Sequence, residues 1–155
     1  MQNNLTFSEF VKDILNKYDD LDLDNYIVSL SIEIPNLDLL ETYEYLLDYH
    51  SFSFLWEEKN KLSFIAFDKF KYITFNGSNK YNKAKEFCDD TFKNFVHLNH
   101  DYNLKDLSKI FYFYSFSDKE NPDEVPFMEA VLPRILIIKD KNKVWLRMHS
   151  KIKFK

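Results

Sequence analysis

Hydrophobic positions along this chain follow two spacings, one typical of helices and one typical of strands. Helical spacing predicts a first helix over about residues 7–17, a second that ends near His50 and a third over residues 80–96. The clearest strand covers residues 26–34, where apolar and polar residues alternate. Pro35 ends it, because proline has no N–H to donate to a sheet. Its apolar face consists of Val28, Leu30, Ile32 and Ile34.

Further β-prone runs follow in the rest of the chain. They are residues 51–56 and 61–67, joined by a polar hairpin connection, then 70–75, closing at Asn76-Gly77, then 110–116, and finally 135–138 paired with 144–148. At least four antiparallel strands with interspersed helices predict an α+β fold with a largely antiparallel sheet. Because no repeat or Pro/Ser-rich linker divides the sequence, residues 1–155 are expected to form a single unit.

Composition excludes several functional classes. Aromatic residues make up 18% of the chain, whereas glycine occurs once, at Gly77, so no Gly-rich nucleotide-binding loop is present. The net charge of −4 argues against a nucleic-acid partner. A single cysteine, Cys88, excludes an internal disulfide and a closed Cys-based zinc site. With no secretory start and no apolar run of about 18 residues, the sequence predicts a cytoplasmic protein without a membrane partner.

Two acidic or histidine-containing stretches have superficial metal-ligand spacing. The run Asp20–Asp24 resembles the start of a calcium loop, but Asn25 and Ser31 stand where that loop needs Gly and Glu, so a solvated linker is favoured. His97 and His100, with Asp101 beside them, could ligate a metal on one helical turn. No third strong ligand is spaced nearby, so two surface histidines are the favoured interpretation.

The remaining candidate residues are isolated. His50 and His149 stand in no motif, and Cys88 on a predicted helix is interpreted as a buried, unreactive thiol. Arg134 could bind a carboxylate in bidentate fashion, although a structural bond is favoured. Four aromatic residues could stack on a planar ligand but at strand spacing are better explained as core: Phe54, Trp56, Phe64 and Phe67. The residues alone therefore predict no catalytic, cofactor-binding or metal-binding site.

Several short motifs, in their order, resemble the N-terminal portion of isochorismate synthases. These belong to the chorismate-utilising enzymes, as do anthranilate and aminodeoxychorismate synthases. The motifs are Ile27–Pro35 followed by Leu37–Leu40, then Phe52–Glu57, then Phe64–Phe67, then Ala130–Arg134 and finally Val144–Leu146. Two departures concern backbone geometry: Asp68 stands where the family usually has Gly, and Phe111–Tyr114 where it has a Gly-Gly pair. Leu55–Glu58 lacks the serine of tryptophan-regulated anthranilate synthases, which favours the isochorismate branch.

The resemblance implies an activity that moves a hydroxyl from C4 to C2 of chorismate with Mg²⁺, in menaquinone or phylloquinone biosynthesis. In the family, a lysine activates water, a glutamate acts as acid and further glutamates hold magnesium. Those residues belong to a C-terminal region beyond the part that this chain resembles, so no catalytic residue is carried over. The chain is expected to be inactive alone, to hold no cofactor itself and to bind chorismate only with a complementary C-terminal segment.

Two other functions remain as alternatives. One is a non-catalytic α+β module that binds a partner protein through an exposed strand or apolar face. The less favoured one is a small metalloenzyme using His97 and His100.

Overall fold

The computed structural model describes residue 16 and residues 26–58, 61–75, 79–99, 108–114 and 128–151. Within them lie seven strands, β1 (Ile27–Ile34), β2 (Ser53–Trp56), β3 (Ser63–Phe75), β4 (Phe95–Asn99), β5 (Phe111–Tyr114), β6 (Met128–Asp140) and β7 (Lys143–Lys151). The helices are α1 (Leu39–Leu46), continued by a 3₁₀ turn over Leu47–Tyr49, and α2 (Lys80–Lys93). The predicted α+β class is confirmed.

All seven described strands form one sheet with β6 at its centre. The order is β2-β3-β6-β7-β1-β4, and β5 also pairs with β6. Strand β3 follows one side of β6 along nearly its whole length. On the other side, β5 pairs with β6 as far as Val131, and β7 pairs with it from Ile135 onward. Only the β1–β4 pair among these strands is parallel.

Each helix covers one apolar part of the sheet. Asp38 caps the N-terminus of helix α1, with its carboxylate accepting the N–H of Glu41, and the helix buries Leu39 against Phe67. Helix α2 covers another part, where its residues Ala84 and Phe87 pack with Phe75, Met128 and Ala130. Burial of each large apolar side chain contributes about 1.5–3 kcal/mol, so these two clusters hold the helices on the sheet.

Strand β3 contains a bulge at a position that the sequence marks as unusual. Residues predicted as two runs form one strand, with a register shift between Lys69 and Lys71. Asp68 has a φ of 52°, in the left-handed region where glycine is preferred. Its N–H donates to the Phe52 carbonyl (2.9 Å), and its carboxylate accepts the Nδ1 proton of His50 (3.0 Å). Asp68 therefore adopts the backbone conformation that a glycine would supply. At Phe111–Tyr114 the chain forms the regular strand β5.

We expect Asp68→Ala to lower the free energy of unfolding by about 1–2 kcal/mol. Alanine is strained at a left-handed φ and cannot accept the hydrogen bond from His50. Urea denaturation would measure this. Asp68→Asn is the matched control and should stay within about 0.5 kcal/mol of the wild type, because asparagine tolerates the conformation and can still accept the bond. Equal losses in the two variants would contradict this account of the bulge.

Two predicted boundaries are wrong. The third helix was expected to reach residue 96, but α2 ends at Lys93 and β4 begins at Phe95. The strand expected from residue 135 begins at Met128 and runs through Pro133. In both places pairing with a distant strand decides the conformation, which local spacing does not report. The first predicted helix (apart from Asn16, which is helical), the Asn76-Gly77 turn and the whole segment 115–127 lie outside the described residues.

Candidate functional site

The most unusual local feature is a row of polar side chains buried on one face of β1 and β7. This polar row consists of Ser29, Ser31, Arg147 and His149, each at most 1% exposed. Ser31 lies directly opposite Arg147, and Ser29 lies directly opposite His149. Opposed residues share a face, so the serine face of β1 is the deeply buried one. On its apolar face, three of the four residues are only half-buried: Leu30, Ile32 and Ile34.

Arg147 connects three parts of the chain. Its Nε donates to the Ser31 hydroxyl (2.6 Å), and its Nη1 donates to the Ser108 hydroxyl (2.8 Å). Ser108 also lies within hydrogen-bond distance of Ser29 (3.4 Å). Burial lowers the pKa of Arg147 to about 10, so the guanidinium remains charged at neutral pH. It holds β7, β1 and the segment before β5 together.

His149 completes the sheet where β5 and β7 leave a gap beside β6. Neither strand pairs with residues 132–134. There, the Pro133 carbonyl accepts a hydrogen bond from Nδ1 of His149 (2.6 Å). A carbonyl only accepts, so Nδ1 carries the proton. Because Pro133 has no N–H, the gap leaves no backbone donor of that residue unpaired. The His149 side chain thus takes the place of a missing strand partner.

Burial keeps His149 neutral. Burial is the main reason why the pKa of His149 is lowered to about 4. The hydrogen bond to the Pro133 carbonyl raises this pKa, whereas the charges of Arg147 and His97 lower it further. With Nδ1 protonated, Nε2 is an acceptor, and it has no hydrogen-bond partner among the described residues. The Phe95 ring lies 5.5 Å from the imidazole, measured between centroids.

Among the described residues, the hydrogen bonds of the polar row connect parts of the sheet and do not activate a serine nucleophile. A serine–histidine nucleophile needs a hydrogen bond from the hydroxyl to an imidazole nitrogen. In the part of the chain that the structure describes, Nδ1 of His149 bonds a carbonyl and Nε2 bonds nothing. The row therefore positions strands. Sequence reasoning missed it; the only local signal is the alternation of serines with apolar residues in β1.

A second group of charges stabilises the β3 bulge. Beyond the Asp68–His50 pair, Lys69 reaches across to Glu129 on β6 (Nζ–Oε1 2.6 Å). The Lys69 ammonium also lies 5.1 Å from the ring centroid of Phe52 and 5.0 Å from that of Tyr72. Both partners of the Lys69–Glu129 pair are largely buried, so water screens this pair less than a surface pair. These contacts fix the backbone on both sides of Asp68.

A groove of about 450 Å³ lies between the β2–β3 connection and the β6–β7 turn. Its charged lining residues are Glu57, Glu58, Lys61, Lys139 and Lys141. Glu58 is paired with Lys61, and Lys139 donates to the Leu37 carbonyl (2.8 Å), so three of these charges already have partners. Such a mixed, partnered lining is typical of a solvated surface.

Of the residues considered as metal ligands, only His97 lies among the described residues. His97 lies on β4 and is half-buried beside Phe95 (ring centroids 4.9 Å apart), so its predicted surface location is wrong. His100, Asp101 and Asp20–Asp24 fall outside the described residues. Within the described ranges, no group of three or more His, Cys, Asp or Glu side chains could hold a metal. No helix in those ranges is long and apolar enough to cross a bilayer.

Other candidates have ordinary surroundings. Cys88 is half-buried, so its predicted buried position is wrong. The pKa of Tyr112 is raised, first by burial of the tyrosine and second by its hydrogen bond with Cys88. Arg134 is exposed, with its guanidinium 5.4 Å from the Phe70 ring centroid. No bidentate carboxylate contact of Arg134 is found among the described residues.

Of the four aromatic residues considered for ligand stacking, three pack internally. Phe67 is fully buried, and Phe54 and Phe64 are half-buried against Phe111, at centroid distances of 4.5 and 5.8 Å. Trp56 is 59% exposed, so its predicted core position is wrong. It lies at the end of edge strand β2, where alternation alone does not ensure burial.

Comparison with known proteins identifies the family. The sequence profile of the family described as chorismate binding enzyme matches residues 13–155. The chain belongs to the chorismate-binding enzyme family. This confirms the resemblance found in the motifs of β1, β2, β3, β6 and β7. No curated protein sequence matches the chain.

A solved structure shares the fold of this chorismate-binding chain. It is titled as the structure and mechanism of MenF, the menaquinone-specific isochorismate synthase from Escherichia coli. The two chains are 15% identical and superpose with a TM-score of 0.54 over 94% of this chain. The match spans 29% of the MenF chain. At this identity the likeness establishes the α+β fold only.

Proposed function

We propose that this chain supplies the N-terminal part of an isochorismate synthase that converts chorismate to isochorismate with Mg²⁺. The observation that carries the proposal is the family match over residues 13–155. The structural likeness to MenF supports the isochorismate branch, as does Leu55–Glu58, which lacks the serine typical of tryptophan-regulated relatives. The activity belongs to a complete enzyme, of which this chain spans the portion that matches 29% of MenF.

The magnesium-holding glutamates that the resemblance implies belong to a C-terminal region, and none of them is assigned to this chain. Mg²⁺ binds through carboxylates and water in near-octahedral geometry. In the described ranges, no group of three or more His, Cys, Asp or Glu side chains is placed to hold a metal. The contribution that we propose for this chain is therefore the framework: the central sheet, with its polar row, on which a catalytic region is held. Chorismate binding is proposed only for the completed enzyme.

The purified chain, given chorismate and Mg²⁺, is expected to form no isochorismate above the uncatalysed background. Adding the C-terminal region of a chorismate-binding enzyme from the same genome, expressed separately, should produce turnover that neither part shows alone. Chromatographic measurement of isochorismate checks both results. Clear turnover by the purified chain alone would overturn the claim that the catalytic residues lie elsewhere.

A non-catalytic protein-binding module is the second candidate function. The observation that favours it is a group of exposed large apolar side chains around α1 and β2, among them Tyr45 and Trp56. A module of this kind should be a monodisperse monomer that melts cooperatively and gives no turnover with any chorismate-enzyme region. Turnover in the mixed assay would exclude it.

A further inference from the structure

The imidazole of His50 is held in a fixed orientation with one ring nitrogen bonded and the other accessible. Its Nδ1 donates to the Asp68 carboxylate (3.0 Å), and its ring lies 4.5 Å from that of the fully buried Phe67, measured between centroids. The hydrogen bond and the ring contact together restrict rotation of the side chain. Because the carboxylate only accepts, Nδ1 carries the proton, and the lone pair of the neutral ring lies on Nε2.

The Nε2 atom of His50 reaches solvent. The His50 side chain is 17% exposed, and its Nε2 is not among the fully buried polar atoms that lack a hydrogen-bond partner in the described part of the chain. No described residue bonds this atom. His149 provides the contrast, because its Nδ1 also donates to an oxygen but its Nε2 is buried in a residue that is 1% exposed. An electrophile in solution can therefore approach Nε2 of His50 but not that of His149.

The carboxylate that holds His50 belongs to a residue with a strained backbone. Asp68 has a φ of 52°, which is unfavourable for any residue that has a Cβ. Its N–H donates to the Phe52 carbonyl, but a glycine could make the same bond, so the bulge itself does not require a carboxylate. Strained residues whose side chains position another group are common at functional sites. What the Asp68 side chain adds to the bulge is the hydrogen bond that orients His50.

Two other roles of a carboxylate-bound imidazole lack the companions that they need among the described residues. A metal ligand needs further ligands, and no group of three or more His, Cys, Asp or Glu side chains in the described ranges could hold a metal. The base of a serine nucleophile needs a hydroxyl on Nε2, and no described hydroxyl bonds that atom of His50. A histidine that is itself the nucleophile needs only the accessible lone pair.

We propose that Nε2 of His50 is a phosphoryl-acceptor site, modified by a small phosphoryl donor of the acyl phosphate class. The Nε2 lone pair forms a bond to phosphorus, the bond from phosphorus to the leaving oxygen of the donor breaks, and that oxygen keeps the electron pair. The ring gains a positive charge, which the Asp68 carboxylate on Nδ1 stabilises. Phosphorus is the favoured electrophile because a phosphorylated imidazole persists longer in water than an acylated one. The inference is independent of the proposed function.

The test uses phosphoramidate, which transfers its phosphoryl group to histidine and releases ammonia. In the folded full chain, we expect His50 to be phosphorylated at Nε2 roughly tenfold faster than the same residue in the chain unfolded in urea. Mass spectrometry identifies the modified residue, and phosphorus NMR identifies the modified nitrogen. His149→Asn removes a buried imidazole and should leave the rate at His50 unchanged.

Asp68→Asn separates the effect of the carboxylate charge from that of the backbone. Asparagine tolerates the left-handed φ and can still accept the bond from Nδ1, but it has no negative charge to stabilise the modified ring. We expect phosphorylation of His50 to be roughly tenfold slower in this variant, with a urea midpoint close to that of the wild type. An unchanged rate in Asp68→Asn, phosphorylation at Nδ1, or a rate no faster than in the unfolded chain would overturn the proposal.

Discussion

Arg147→Ala is expected to lower the free energy of unfolding by about 3–5 kcal/mol. The substitution removes a large, fully buried side chain and leaves the Ser31 and Ser108 hydroxyls without their donor. These hydroxyls lie on different elements, so the loss also loosens β7 from β1 and from the segment before β5. Urea denaturation followed by circular dichroism measures the change.

Arg134→Ala is the matched control for Arg147→Ala. Arg134 is exposed, and its described contact is with the Phe70 ring, so its removal should cost less than about 1 kcal/mol. Both variants lose one positive charge, which keeps the change in net charge equal. If the two arginines cost the same, the polar row would not have the structural role described for it.

The second large effect is a loss of stability in acid that depends on His149. Its pKa is lowered to about 4 in the folded protein and is about 6.5 in the unfolded chain. Between these values the unfolded state binds more protons, so stability is full above pH 6.5 and falls as the pH drops toward 4. At pH 4.5 the expected loss from this histidine is about 2–3 kcal/mol relative to pH 7.5.

His149→Asn isolates that contribution. The asparagine amide can still donate to the Pro133 carbonyl but cannot be protonated in this range. Unfolding free energies at pH 7.5 and 4.5 should differ by about 2–3 kcal/mol less in this variant than in the wild type. His50→Asn, a change at a histidine bonded to Asp68, controls for general effects of removing an imidazole. An unchanged pH dependence in His149→Asn would refute the assignment.

Much of the fold follows from local sequence. The alternation in β1 and the β-prone runs of the β2–β3 and β6–β7 hairpins are strong local signals, and the structure contains all three elements. Helix α1 follows from helical spacing. These elements are predictable because apolar spacing and the polar connections between runs are local features, which a single sequence displays directly.

The elements that sequence did not reveal depend on distant partners. Strand β4 exists because it pairs with β1, and Pro133 is accommodated within β6 because His149 bonds its carbonyl. No local sequence pattern near Pro133 indicates that His149 is its partner, and none near β4 indicates β1. The polar row is similar: its serines and its arginine come from opposite ends of the chain, and only the folded sheet brings them together.

The sequence resemblance identified the family but not which of its motif residues are exposed. The motifs lie mainly in buried strands, which report packing rather than chemistry. Trp56 belongs to one of these motifs and was expected in the core, yet it is exposed at the sheet edge. A strand pattern does not tell an inner strand from an edge strand, so the exposure of Trp56 could be recognised only from the strand order.

The pairing of β1 with β7 has a consequence for how the chain folds during synthesis. Ile27 pairs with Lys151, so the pairing of β1 with β7 can form only after β7 has emerged from the ribosome. Contacts between such distant segments form slowly. The nascent chain is therefore expected to keep β1 incompletely paired until β7 has emerged. In that interval the backbone groups of β1 that later pair with β7 remain open to pairing with other strands, which favours aggregation.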